Sequence, residues 1–97
     1  MQYIGKCWLK DPCRVEEVGE RLGLIDAKKY GDDLVGLYRL EGWDFKMVIV
    51  LVHVSWDDDK GTVSKIRLWA HLDTDVIDYD HLEEELERKM DEMRVKS

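Results

Sequence analysis

The stretch "FKMVIVLVHVSWDDDKGTVSKIRLWAHL", residues 45–72, decides the fold of this 97-residue chain. Residues 45–56 predict a strand that is apolar on both faces, because valines alternate with other large apolar side chains. Such a strand is typical of the centre of a sheet. The "DDDKG" at 57–61 predicts a turn, in which Gly supplies backbone freedom. Residues 62–72 alternate apolar and polar side chains, so they predict a half-buried second strand.

The remaining elements follow from shorter patterns. Strands are predicted over 2–9 and 34–41, and "IDAKKYGDD" at 25–33 is interpreted as a connector. Helices are predicted over 12–22 and 79–94; for the first, Asp11 is the predicted N-cap, with Pro12 at the first helical position and Gly23 after the last. The order is then β-α-β-β-β-α. Each helix has one apolar stripe, so we expect one α+β domain over 1–97, with both helices on one face of an antiparallel sheet.

The second face of that sheet is a candidate partner-binding surface. If Trp56 pairs with Thr62, Val52 faces Ile66 and Val48 faces Ala70, which places the valines together under the helices. The opposite face then carries the apolar residues Met47, Ile49, Leu51 and Trp69. This surface needs a cover, which is either the rest of the chain, a protein partner or a second copy of the protein.

Acidic residues dominate the second half of the chain. The formal net charge is −7, and residues 72–87 alone hold eight carboxylates. The predicted hairpin separates two clusters, one at each end of the sheet. The first consists of Asp57, Asp58 and Asp59; the second consists of Asp73, Asp75, Asp78 and Asp80, with Glu41 and Asp44 from a neighbouring turn.

Two interpretations of these clusters stay open. Oxygen ligands on flexible loops suit Ca²⁺ or another divalent cation, although neither cluster has the spacing of an EF-hand. Alternatively, the carboxylates are solvated turn residues and helix caps, since a helix N-terminus stabilises nearby negative charge. Calcium is the one cofactor that the sequence suggests.

The stretches "WDDDKG" (56–61) and "LDTDVIDYD" (72–80) also carry a resemblance. Together on a small acidic α+β domain, they resemble a family of small proteins of methanogenic archaea that is associated with calcium binding. The resemblance lies in size, structural class and acidic clustering. It implies an α+β fold with Ca²⁺ at acidic surface clusters, and it implies no cellular role.

Composition disfavours several other functions. A negative net charge repels phosphates, so neither nucleic acid nor an anionic membrane is an expected partner, and cations or basic proteins fit better. The longest apolar run, 47–54, is too short to cross a membrane, and we expect no signal peptide because residues 1–10 hold no long apolar region. We therefore expect a cytoplasmic protein with Cys7 and Cys13 as free buried thiols. The sequence contains neither a nucleophile elbow nor a phosphate-binding loop, so it does not indicate an enzyme.

Overall fold

The computed structural model describes residues 1–40, 47–57, 61–71 and 79–95. They form an α+β domain of two layers, as predicted. Its elements are β1 (Gln2–Cys13), α1 (Val15–Leu22), β2 (Ile25–Tyr30), β3 (Asp33–Arg39), β4 (Met47–Trp56), β5 (Val63–Ala70) and α2 (Tyr79–Met93). The observed order, β-α-β-β-β-β-α, therefore contains one strand more than the sequence predicts.

The five strands form one antiparallel sheet in the order β1-β5-β4-β3-β2. The strand that is apolar on both faces, β4, lies at the centre, which confirms the interpretation for residues 47–56; residues 45 and 46 lie outside the described part of the chain. Strand β1 pairs with β5, far from it in sequence, so it extends the sheet sideways and does not cover a face.

Strand β2 lies where the sequence predicted a connector, so that prediction is wrong. All six of its residues are exposed, and it pairs with β3 alone. The pairing is irregular between Ile25 and Lys28, where Asp26 has a positive φ of 52°. An edge strand that buries no side chain lacks the alternation by which strands are recognised.

The β4–β5 register differs by two residues from the predicted one. Val52 lies opposite Leu68, and Val54 lies opposite Ile66, because the pairing shifts between Ser55 and Trp56. Side chains in a strand repeat every two residues, so a shift of two leaves every side chain on its predicted face. The division into a valine face and a second face is therefore confirmed, although the predicted pairs are wrong.

Helix α1 begins later than predicted. Asp11 and Pro12 belong to β1, and Arg14 is the N-cap with extended backbone angles, so the predicted Asp11 cap is wrong. The C-terminal end is confirmed: Gly23 has a φ of 76°, and its backbone N–H reaches the carbonyls of Glu20 and Gly19. Left-handed backbone at this position favours glycine.

The core lies between the helices and the valine face of the sheet. Val48, Val50 and Val52 are buried, and the apolar stripes of both helices are buried against this layer. The chain then leaves α2 along the outer edge of β1, where Val95 N–H donates to the Trp8 carbonyl at 2.8 Å. This contact protects part of an edge that could otherwise pair with another chain.

Candidate functional site: the open sheet face

We define the open face as the side of the sheet opposite the valines. One cross-strand row runs from Tyr3 on β1 through Trp69 and Leu51 to Val35 on β3. The rings of Tyr3 and Trp69 lie 5.3 Å apart at an angle of 59°, an arrangement that aromatic pairs favour. Aromatic groups at one end of the row and aliphatic groups at the other form a continuous apolar band.

The apolar band widens towards the end of the sheet at which β4 begins. Ile49 lies opposite Leu37, which in turn lies opposite Ile25, and Met47 follows at the start of the strand. Met47 and Ile49 are each 43% exposed, whereas Leu51 and Trp69 are half-buried. All four residues predicted to bind a partner thus lie on one face. The described helices pack on the other face, where the buried core lies.

Basic side chains border the apolar band on its other side. The row next to Tyr3 and Trp69 places Lys6 opposite Arg67, which lies opposite His53. His53 Nδ1 lies 2.9 Å from Asp33 Oδ1 on β3. In the following row, Lys65 lies opposite Trp8, and its ammonium group sits 4.9 Å from the centre of that ring. A cation over an exposed indole ring is attracted by the ring's quadrupole.

These cations are close enough to affect one another. Partial burial lowers the pKa of Lys65, and the positive charges of Arg67 and Lys6 lower it further. Like charges that lie side by side destabilise each other, so this corner of the open face favours an incoming negative group.

Strand β1 contributes residues to this surface that local sequence patterns did not predict. Tyr3, Lys6 and Trp8 join the open face because β1 pairs with β5, a long-range contact that local patterns do not reveal. A register shift near Gly5 also breaks the alternation of the strand. The one available signal was the pair of large aromatic residues within a short strand that contains lysine.

Most residues of the predicted cation sites lie outside the described part of the chain: Glu41, Asp44, Asp58, Asp59, Asp73, Asp75 and Asp78. Asp57 is described at the end of β4, where its N–H donates to the Thr62 carbonyl at 2.7 Å. Asp80 lies exposed in the first turn of α2. Among the described residues, no three His, Cys, Asp or Glu side chains come together as metal ligands would. The cation site stays a prediction.

A buried polar cluster connects α2 to the sheet. Glu85 is 5% exposed, and its Oε1 accepts a hydrogen bond of 2.5 Å from the Tyr38 hydroxyl. His81 Nε2 lies 3.6 Å from Glu85 Oε2, one helical turn away. The sequence predicted none of this, because a glutamate within a run of acidic helical residues gives no sign of its burial. A buried carboxyl needs such donors.

Cys7 and Cys13 are free buried thiols, as predicted. Burial raises the pKa of both, and for Cys7 the guanidinium of Arg94 partly offsets this effect. A thiol that stays protonated is a poor nucleophile and a poor metal ligand. The two cysteines therefore belong to the core.

The fold and its surface define a class of protein: a two-layer α+β domain with a one-sided helical cover and an apolar, basic open sheet face. Comparison with protein-family models, with curated proteins and with solved structures gave no match. No helix among the described residues has the length and apolar character needed to span a membrane.

Proposed function

We propose that this chain is a cytoplasmic protein-binding module whose partner docks on the open face. The observation that carries the proposal is the exposure of Met47 and Ile49 on the central strand of the sheet, next to Leu51 and Trp69. Contiguous apolar surface of this kind marks interaction sites on proteins. Free thiols fit a reducing compartment.

The charges at the margin of this surface favour a different protein as partner over a second copy. The described charged residues of the open face are five basic ones and one acidic one: Lys6, Lys28, Arg39, Lys65, Arg67 and Asp33. Two copies placed face to face would bring two cationic margins together. Juxtaposed like charges cost several kcal/mol of binding free energy. We therefore expect a monomer in the absence of the partner.

A peptide-display selection tests this function. Immobilised protein should enrich peptides from a random library, and amide NMR shifts should place the enriched peptides on β4 and β5. Ile49→Asp should abolish enrichment while the protein remains folded, because the Ile49 side chain is already 43% exposed. Arg88→Asp is the control, since it also places a carboxylate on exposed surface, but on α2 and away from the open face.

Two outcomes would overturn the proposal. One is enrichment that Ile49→Asp leaves intact. The other is a stable dimer in sedimentation experiments that Ile49→Asp dissociates, because the second copy would then be the occupant of the open face.

Calcium binding at the acidic loops is the second proposed function. Its support is the density of carboxylates in residues 72–87. Carboxylates that repel one another are stabilised when a hard cation binds between them.

A further inference from the structure

We infer that the partner of the open face is an acidic, extended protein segment whose carboxylate binds between Lys6 and Arg67. This inference rests on the proposed protein-binding function and names the chemistry of the partner. The segment carries an apolar side chain, an acidic one and a second apolar one, at every other position.

Charge is unevenly distributed over the described residues. The open face holds five basic side chains and one acidic side chain, whereas α2, on the other layer, holds seven acidic and two basic ones. The open face is thus locally positive, although the net charge of the whole chain is −7. Net charge alone predicts basic partners, but the charge of the open face reverses that expectation.

Dissolved salt screens the charges on α2 from a ligand on the open face. The smallest extent of the molecule is 20 Å. The Debye length at physiological ionic strength is about 8 Å, so charges on α2 are largely screened from a ligand on the open face. Local cations therefore decide the sign of the partner at this surface.

The spacing of three rows sets the pattern of the segment. Along β5, Trp69, Arg67 and Lys65 are two residues apart, and their neighbours on β1 are Tyr3, Lys6 and Trp8. Two residues of a strand span roughly 6.8 Å. Because alternate side chains of an extended peptide have the same spacing, such a peptide can contact all three rows at positions i, i+2 and i+4. The preceding side chain on the same side, at i−2, reaches the next row, in which the Ile49 carbonyl accepts a hydrogen bond from His71 N–H.

Each row suits one kind of side chain. The Tyr3 and Trp69 rings offer apolar surface at position i, and the exposed Trp8 ring offers it at i+4. Between them, the Arg67 guanidinium can hold a carboxylate with two parallel hydrogen bonds, while Lys6 adds a second positive charge. The expected motif is apolar-x-acidic-x-apolar, in which x is any residue.

A single-stranded nucleic acid also combines flat apolar groups with negative charge. The neighbouring surface favours the protein segment, because Met47, Ile49 and Leu51 offer aliphatic contacts and not the aromatic platforms on which bases stack. An oligothymidylate is therefore used as the competitor in the test.

The test sequences the peptides enriched by the display selection and measures their affinity by fluorescence anisotropy. The enriched peptides should be acidic, carry the motif and bind less tightly as salt rises. Arg67→Glu should weaken binding at least about tenfold, because it replaces an attraction by a repulsion. Arg88→Glu is the matched control: it makes the same charge change on the exposed surface of α2 and should leave affinity unchanged.

The contrary results separate this inference from the function on which it rests. Enriched peptides that are neutral or basic, and that depend on Ile49 but not on Arg67, would overturn the acidic segment and leave the protein-binding function intact. Enrichment that does not depend on Ile49 would overturn both. An oligothymidylate that binds more tightly than every enriched peptide, with the same dependence on Arg67, would replace the protein partner by a nucleic acid.

Discussion

The Tyr38 hydroxyl donates a hydrogen bond of 2.5 Å to Glu85 Oε1, and this buried contact joins β3 to α2 across 47 positions of sequence. Tyr38 is 3% exposed and Glu85 is 5% exposed, so water does not readily replace the donor. The contact therefore fixes how α2 lies on the sheet.

Tyr38→Phe should lower the free energy of unfolding by about 1–3 kcal/mol, because a buried carboxyl loses one of its donors. Urea denaturation with a fixed m-value measures this change. Tyr30→Phe is the control, since Tyr30 is 61% exposed and its hydroxyl should contribute little. Equal effects of the two substitutions would contradict a special role for the contact between Tyr38 and Glu85.

The stability of the protein should decrease at alkaline pH because of its two thiols. Burial raises the pKa of Cys7 and Cys13 in the folded state above their ordinary value of 9.0. Between the unfolded and folded pKa values, the unfolded state holds fewer protons, so stability falls as pH rises. Below about pH 9 the contribution of the thiols is fully present.

Chemical denaturation as a function of pH checks this prediction. The double variant Cys7→Ala/Cys13→Ala should show a shallower alkaline decline than the parent protein. Both native thiols should also react slowly with a disulfide reagent until the protein is unfolded. A variant whose alkaline decline is as steep as that of the parent would show that other groups cause it.

Gly36 should be intolerant of a side chain because β3 and the α1–β2 connection approach closely there. A Cβ at this position would lie 3.0 Å from Leu24 Cβ and 3.3 Å from the Ala27 Cα. Gly36→Ala should cost about 1–3 kcal/mol of stability, since backbone must move to relieve the overpacking. Thermal unfolding measures the loss.

Gly19→Ala provides the contrast. Its Cβ would approach the Leu34 Cδ2 methyl at 3.3 Å, and a methyl group can move. Alanine also favours a helix over glycine by about 1 kcal/mol, so the net change should be small. A destabilisation as large as that of Gly36→Ala would show that the surroundings of Gly19 are as rigid as those of Gly36.

Calcium should raise the melting temperature of the chelator-treated protein in a saturable manner if the acidic loops form a site. Asp73→Asn together with Asp75→Asn should remove this increase, because the site loses two charged oxygen ligands. Magnesium at the same ionic strength is the control cation, since it prefers smaller and more rigid sites. An unchanged calcium response in the variant would rule out these two ligands.

The sequence predicts this fold as far as local patterns extend. Alternation identified β4 and β5, and the two faces of β4 were predicted correctly although the register was not. Strand β2 escaped because its exposed residues carry no periodic signal. Helix α1 was predicted to begin at residue 12 because Asp11 and Pro12 are typical of a helix start, but pairing of Cys13 with Val63 keeps them in β1.

The open face was predicted in part for the same reason. Its residues on β4, together with Trp69 on β5, follow from alternation within each strand. Tyr3, Lys6 and Trp8 join it through the β1–β5 pairing between distant parts of the chain, and a local pattern contains no information about such a contact. The buried Glu85 likewise depends on where α2 meets Tyr38.

The placement of β1 between β5 and the end of α2 has a consequence for how the molecule is made. Among the five strands, β1 is synthesised first but is the last that can be completed, because its neighbours are residues 63–70 on one edge and Arg94 and Val95 on the other. Strands β2 to β5 can pair in sequence order through short connections, whereas β1 must close a long loop, which slows its addition. Until residues 63–95 have been synthesised, both edges of β1 stay unpaired and are presented to its surroundings.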